Sequence, residues 1–404
     1  MKKMANAWIV CCAGSFGLAG MAQAESPAVP ADVLALHQRM IVIDTHSDAP
    51  TQTLRRPGFD ITQRHSYPHD QSQIDLPRMD EGGYDGGFFV VYTDPGPLTR
   101  DGYEKALAAA MREATAVREL AGKHPESFEF ATTSADVVRI VQAGKKAVLM
   151  SMENSYPLGE DLRNLRAFHQ LGLRMAGPVH SKNSQFADSA TDKPQWHGLS
   201  PLGKRWVVEM NRLGIIIDIS HSSDQAVDQM LALSKVPIIA SHSGAKAMWD
   251  HPRNLDDARV KAVAAKGGVI QANSIFLGPD TRTGDVYALY SAETDLSELG
   301  PAEQDQALAA FRERFPVSGF KEKTDFDTFM NAVLYLLKLV GPDHVGIGPD
   351  WDGGGGVNGM EDISALPRIT QRLKQAGYSD ADIQKVWSGN LLRVMDQVQR
   401  AAAK

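Results

Sequence analysis

Eight short apolar runs, separated by longer stretches of different pattern, constrain this chain more than any other feature. They cover 40–44, 87–92, 147–152, 173–179, 215–219, 237–240, 268–272 and 344–348. Helical patterns stand between most of them, at 103–121, 134–142, 161–171, 201–213, 224–233, 256–265 and 325–339. Strands that alternate with helices pair in parallel, because the crossover returns each strand in the same direction. Runs such as Ile215-Ile216-Ile217 have no polar alternation, which suits a sheet buried on both faces. Eight such units predict an α/β fold, a closed (β/α)8 TIM-type barrel. Strand counting alone leaves an open doubly wound sheet as the alternative. The end of the chain, 380–403, reads as one or two capping helices.

Two stretches break the simple unit. Residues 53–78 are polar and carry Pro57, Pro68 and Pro77; residues 274–323 are long and carry Gly278-Pro279-Asp280. Both follow strand C-termini, where loops build sites, so each is read as a wall or lid of a pocket or as a surface insertion.

The first residues read as a leader rather than as fold. Lys2 and Lys3 precede an apolar stretch that ends in Ala22-Gln23-Ala24, the small-x-small pattern of a signal-peptidase site. Export to the periplasm or medium, with cleavage after Ala24 and a single domain over 25–404, is the expectation, with no stable membrane span afterwards. Cys11 and Cys12 are the only two cysteines and both lie in this leader. Val10 before Cys11 fits a lipoprotein signal poorly. A mature chain without cysteine has no disulfide and no thiolate ligand, so any zinc is held by His and carboxylate, which leans toward catalytic sites. The net charge of −7 speaks against a nucleic-acid partner, which favours basic patches.

Polar residues stand at the ends of the apolar runs: His46 and Asp48 after the first, Glu153 after the third, His180, His221 and His242 after the next three, and Asp350 after the last. In a parallel barrel these ends share one face, so distant residues converge. In extended backbone, residues i and i+2 point the same way, so His46 and Asp48 can grip one cation. A lone strand-end histidine is more often structural than ligating; two on adjacent strands, with carboxylates, reverse that. Nitrogen and oxygen donors without sulfur suit zinc, with manganese or iron as substitutes.

Longer pieces carry a resemblance. They are Ile43-Asp44-Thr45-His46-Ser47-Asp48, Gln73-Ile74-Asp75-Leu76-Pro77-Arg78, Met152-Glu153, Gly172-Leu173-Arg174 leading to His180, Ile219-Ser220-His221-Ser222, Ala240-Ser241-His242-Ser243, His251-Pro252-Arg253-Asn254, and Gly348-Pro349-Asp350-Trp351-Asp352-Gly353. In this order, over most of the chain, they resemble the membrane (renal) dipeptidase family of zinc peptidases, among the amidohydrolase-type barrels. The resemblance implies two zinc ions per chain, with His46 and Asp48 on one, His221 and His242 on the other, and Glu153 bridging. It implies substrate or catalytic roles for His180, Arg253 and Asp350. Arg253 would hold a dipeptide's free carboxylate, which a guanidinium fork matches. Asp350, preferred over Asp352, would move the proton, and His180 would help to stabilise the oxyanion. The implied reaction is dipeptide hydrolysis by metal-activated water, with tolerance of a C-terminal D-residue. A homodimer is compatible, although no interface signature is present. Departures from the family pattern fall at Asn154-Ser155, at 175–178, at Ala332 and Tyr335, and at Trp351. The alternatives are another amidohydrolase activity (lactonase, phosphotriesterase or deaminase) and an exported protein that binds a solute or metal without catalysis.

Overall fold

The computed structural model describes residues 28–54, 58–67, 72–279 and 324–402. The leader at 1–24 and residues 280–323 of the second long insertion lie outside the described residues, as do 55–57 and 68–71 of the first.

Nine strands are present among the described residues: β1 Ile43–Ser47, β2 Gly86–Val91, β3 Phe128–Phe130, β4 Lys146–Met152, β5 Leu173–Ala176, β6 Ile216–Ile217, β7 Ile239–Ser243, β8 Val269–Ala272 and β9 Val345–Ile347. All the ladders are parallel. Five strands run in the order β1-β2-β4-β5-β6, with β3 paired to the start of β4, and β7-β8-β9 form a second sheet. The closed (β/α)8 barrel expected from the eight runs is therefore not what the chain builds. The first sheet is an open, curled half-barrel, and the second stands beside it.

The reason lies at the two seams, where single bridges replace ladders: Asp218 with Ile239, and Ser47 with Trp351. At the first seam β6 has only two residues. Its ladder stops where the Asp218 carboxylate takes the N–H groups of Ser220 and Ser241, both at 2.9 Å. At the second seam β9 stops short of Asp350, whose φ of 74° leaves the extended region.

Alternation along the strands sorts side chains into two cores. Ile43, Phe88, Leu149, Met175, Ile216, Ile239 and Val269 pack with Leu391, Val394, Met395 and Val398 of the terminal helix Asn390–Ala401. The other parity, including Phe89, Val91, Met150, Ile217, Ala240, Ile270 and Ile347, packs under the crossover helices through residues such as Val117, Trp206, Met230, Val263 and Phe329. Each fully buried side chain of this kind contributes about 1.5–3 kcal/mol. Local signals set the helix ends. Pro201–Leu213 starts with the Ser200 hydroxyl accepting from Gly203 N–H, and stops at Gly214 in the left-handed region at φ 72°, which costs glycine little. No helix among the described residues is long and apolar enough to cross a membrane.

Candidate metal centre and active site

The strand C-termini place the site. His46 lies inside β1 and Asp48 just beyond it; Glu153 follows β4, its N–H bonded to Val91 O at 3.1 Å. His242 lies inside β7. His180, His221, Arg253 and Asp350 stand on the loops after β5, β6, β7 and β9. His221 and Asp350 have φ of 68° and 74°. Non-glycine residues hold this conformation uncommonly, and it persists only where the surrounding structure maintains it.

The side chains converge on one atom. Glu153 Oε1 lies 2.9 Å from His221 Nε2, 3.2 Å from His242 Nε2, 3.8 Å from His46 Nε2 and 3.9 Å from His180 Nε2. His46 Nε2 is also 3.6 Å from Asp48 and 3.8 Å from Asp350. Three overlapping groups can hold a metal ion: His46, Asp48 and Glu153; Glu153, His180 and His221; and His46, Asp218 and His242. Gly353 leaves room for two carboxylates, because a Cβ there would force oxygens of Asp48 or Asp350 to move.

Electrostatics fit a cation. Burial, and then Arg253 and His180, lower His46 to about 3; burial and Arg253 lower His180 to about 3. His221 and His242 are likewise pushed down, first by burial and then by Arg253 and the crowding of the neighbouring histidines. Neutral imidazoles present the lone pairs a metal needs. Burial and crowding push Asp48 and Glu153 up. Buried carboxylates this close repel unless a positive charge stands among them. His46 Nε2 is buried with no hydrogen-bond partner, although such an atom normally has one. The donor set, the crowding and this orphaned nitrogen all suit metal ions.

Around the cluster, Arg253 is buried, with Nη2 3.3 Å from His242 O and its guanidinium 5.5 Å from the ring of Phe276. That ring stacks on His251 at 4.4 Å. Tyr92 Oη lies 2.8 Å from Asp94 and 3.2 Å from His180 Nδ1. Gln73, which residue type alone gives no role, clamps the loop that carries Asp350. Gln73 N–H donates to Asp352 Oδ1 at 2.6 Å, and Asp352 N–H donates to Gln73 Oε1 at 2.7 Å. Gln73 Nε2 donates to Gly355 O and Glu361 O. Arg78 anchors this segment, with Nε bonded to Asp75 at 2.6 Å and Nη1 to Ser72 O at 2.9 Å. Both residues stand in the quoted motif, but only their long-range contacts, such as Arg78 Nη1 to Asp362 at 3.2 Å, explain them. Asp352 thus braces the loop, while Asp350 faces the cluster.

Residues 31–404 match the family described as membrane dipeptidase, peptidase family M19. This chain belongs to the membrane dipeptidase family. Among its relatives is dipeptidase tcpJ of Claviceps purpurea (strain 20.1), 30% identical over 367 residues that span 89% of this chain and 77% of that protein. Among solved structures, the probable dipeptidase PvdM of Pseudomonas aeruginosa superposes with a TM-score of 0.77 at 30% identity, covering 92% of this chain and 98% of the other. A metallopeptidase of Rhodobacter sphaeroides, liganded with a phosphinate mimic of L-Ala-D-Ala, gives 0.71 at 26% identity, covering 89% and 99%. Membership of the membrane dipeptidase family agrees with the resemblance read from the ordered motifs.

Proposed function

We propose that this chain is a metallo-dipeptidase that hydrolyses free dipeptides at a centre of two zinc ions. The observation that carries the reading is the convergence of four histidine Nε2 atoms within 3.9 Å of one Glu153 oxygen, in a member of the membrane dipeptidase family. His46 and Asp48 would hold one ion, His221 and His242 the other, and Glu153 both. When bound, the ions supply Lewis acidity, which acidifies water and polarises the scissile carbonyl.

The chain's own residues do the rest. Asp350 takes the proton of the attacking water and delivers it to the leaving amine. His180 steadies the charge that develops on the carbonyl oxygen. Arg253 holds the free C-terminal carboxylate, and so selects short substrates. The phosphinate mimic bound by the Rhodobacter protein supports acceptance of a C-terminal D-residue here. Export with cleavage after Ala24, a single domain over 25–404, and a homodimer complete the proposal.

The test combines metal analysis of the purified mature protein with a panel of L,L and L,D dipeptides and their C-terminal amides. Two zinc ions per chain, turnover of free dipeptides and poor turnover of the amides are expected. Bound metal without hydrolysis anywhere on the panel would sink the enzymatic reading, and equal rates on free and amidated pairs would remove the carboxylate grip.

A further inference from the structure

Ser241 stands in β7 directly before His242, and its side chain is fully buried. Its Oγ lies 2.5 Å from Asp218 Oδ2, to which it donates. Asp218 is itself held in place, because its Oδ1 accepts from the N–H groups of Ser220 and Ser241. A hydroxyl that has donated its hydrogen to a carboxylate has only lone pairs left to offer. Two histidine nitrogens approach those lone pairs: His242 Nδ1 at 2.8 Å and His46 Nδ1 at 3.4 Å. Each Nδ1 must then carry the ring hydrogen, which leaves the lone pair on each Nε2. Both Nε2 atoms face Glu153, at 3.2 Å and 3.8 Å.

This geometry also explains the third cation-competent group, His46, Asp218 and His242. Ser241 Oγ occupies the space between Asp218 and the Nδ1 edges of the two rings. Asp218 is thereby a brace behind the rings rather than a ligand in front of them.

We propose that Ser241, fixed by Asp218, is a positioning residue shared by the two halves of the metal centre. One hydroxyl sets the tautomer and the ring orientation of a histidine in each half. The inference rests on the two-metal reading above, and it adds that the halves are coupled from behind.

The experiment measures zinc content and zinc affinity, by chelator competition, for wild type, Ser241→Ala, Ser241→Thr and Asp48→Asn, with folding followed by circular dichroism. Loss of such an outer partner weakens metal binding about 10–100-fold. Ser241→Ala is expected to weaken both zinc ions by that order, and Ser241→Thr, which keeps the hydroxyl, to restore them. Asp48→Asn, which removes a ligand from one half, is expected to weaken one ion more than the other. Asp218→Asn replaces Ser241→Ala if the latter does not fold, with the same expectation for both ions. Wild-type affinity for both ions in the serine variant, or loss confined to one, overturns the inference while leaving the two-metal reading intact. A wild-type protein that takes up fewer than two zinc ions overturns both.

Discussion

His221 Nε2 and His242 Nε2 lie 3.0 Å apart, and each is within 3.2 Å of Glu153 Oε1. Two neutral imidazoles that turn lone pairs toward one another and toward a carboxylate repel. A shared cation turns that repulsion into coordination. Glu153→Gln removes the negative charge of this junction, and it should lower zinc content and cut kcat by at least about 100-fold, on the scale of losing a key electrostatic group. A glutamine variant with two zinc ions and full turnover would remove Glu153 from the centre.

Arg253 tests substrate capture separately from metal. A charge-assisted hydrogen bond is worth about 1.5–3 kcal/mol, so Arg253→Ala should raise KM for free dipeptides about 10–100-fold. Zinc content should not change, and amidated dipeptides should lose far less. Unchanged kinetics on free dipeptides would place the carboxylate elsewhere.

Gly353 is squeezed between two carboxylates. Gly353→Ala should displace Asp48 or Asp350 and reduce both zinc affinity and kcat, while the thermal midpoint moves by only a few degrees. Full activity in this variant would mean that the aspartate loop is more pliable than its contacts indicate.

Gln73 holds the Asp350 loop through Asp352 without being near the reacting groups. Gln73→Ala should lower kcat more than it changes KM or zinc content, because it frees Asp350, the proposed proton carrier, rather than the proposed ligands. Gln73→Glu keeps an acceptor for Asp352 N–H but loses the donations to Gly355 and Glu361, and it should fall between the two. Equal losses in the alanine and glutamate variants would argue that the contact to Asp352 contributes nothing.

Asp85 offers a pH test remote from the site. It accepts from Val42 N–H at 2.9 Å, and burial pushes its carboxyl up to about 6 from an ordinary 3.8, although Val42 and Lys146 oppose the shift. A raised carboxyl binds its proton more tightly in the folded state. Its contribution to stability is therefore complete below pH 3.8 and is lost as pH rises through about 6. Asp85→Asn removes this dependence. The difference in thermal midpoint between variant and wild type should grow in the variant's favour from pH 4 to pH 7. A difference that stays flat over that range would show that Asp85 titrates normally.

Much of the architecture was legible because burial and alternation leave a local record. Eight of the nine strands overlap apolar runs that can be read directly. The exception, β3, has three residues with a glutamate at its centre, Phe128-Glu129-Phe130, too few to carry a period. That the sheet stays open was not legible, because the seams are decided by side chains. Asp218 satisfies two backbone N–H groups that a longer β6 would have used, and nothing in its neighbouring sequence announces that. The candidate ligands could be named because they stand within or just after the C-terminal ends of strands, but their common focus on one glutamate oxygen is a property of the curl. The left-handed backbone of His221 and Asp350 is likewise invisible in residue type, and the work of Gln73 and Ser241 depends on partners up to 288 positions away.

The terminal helix Asn390–Ala401 packs against residues in the first halves of the strands, while the metal cluster gathers at their far ends. Among the described residues that helix fills the end of the strands opposite the cluster, so substrate and products are expected to pass through the strand C-terminal face. With Arg253 holding the substrate carboxylate as proposed, a released amino acid would compete with the incoming dipeptide for that guanidinium.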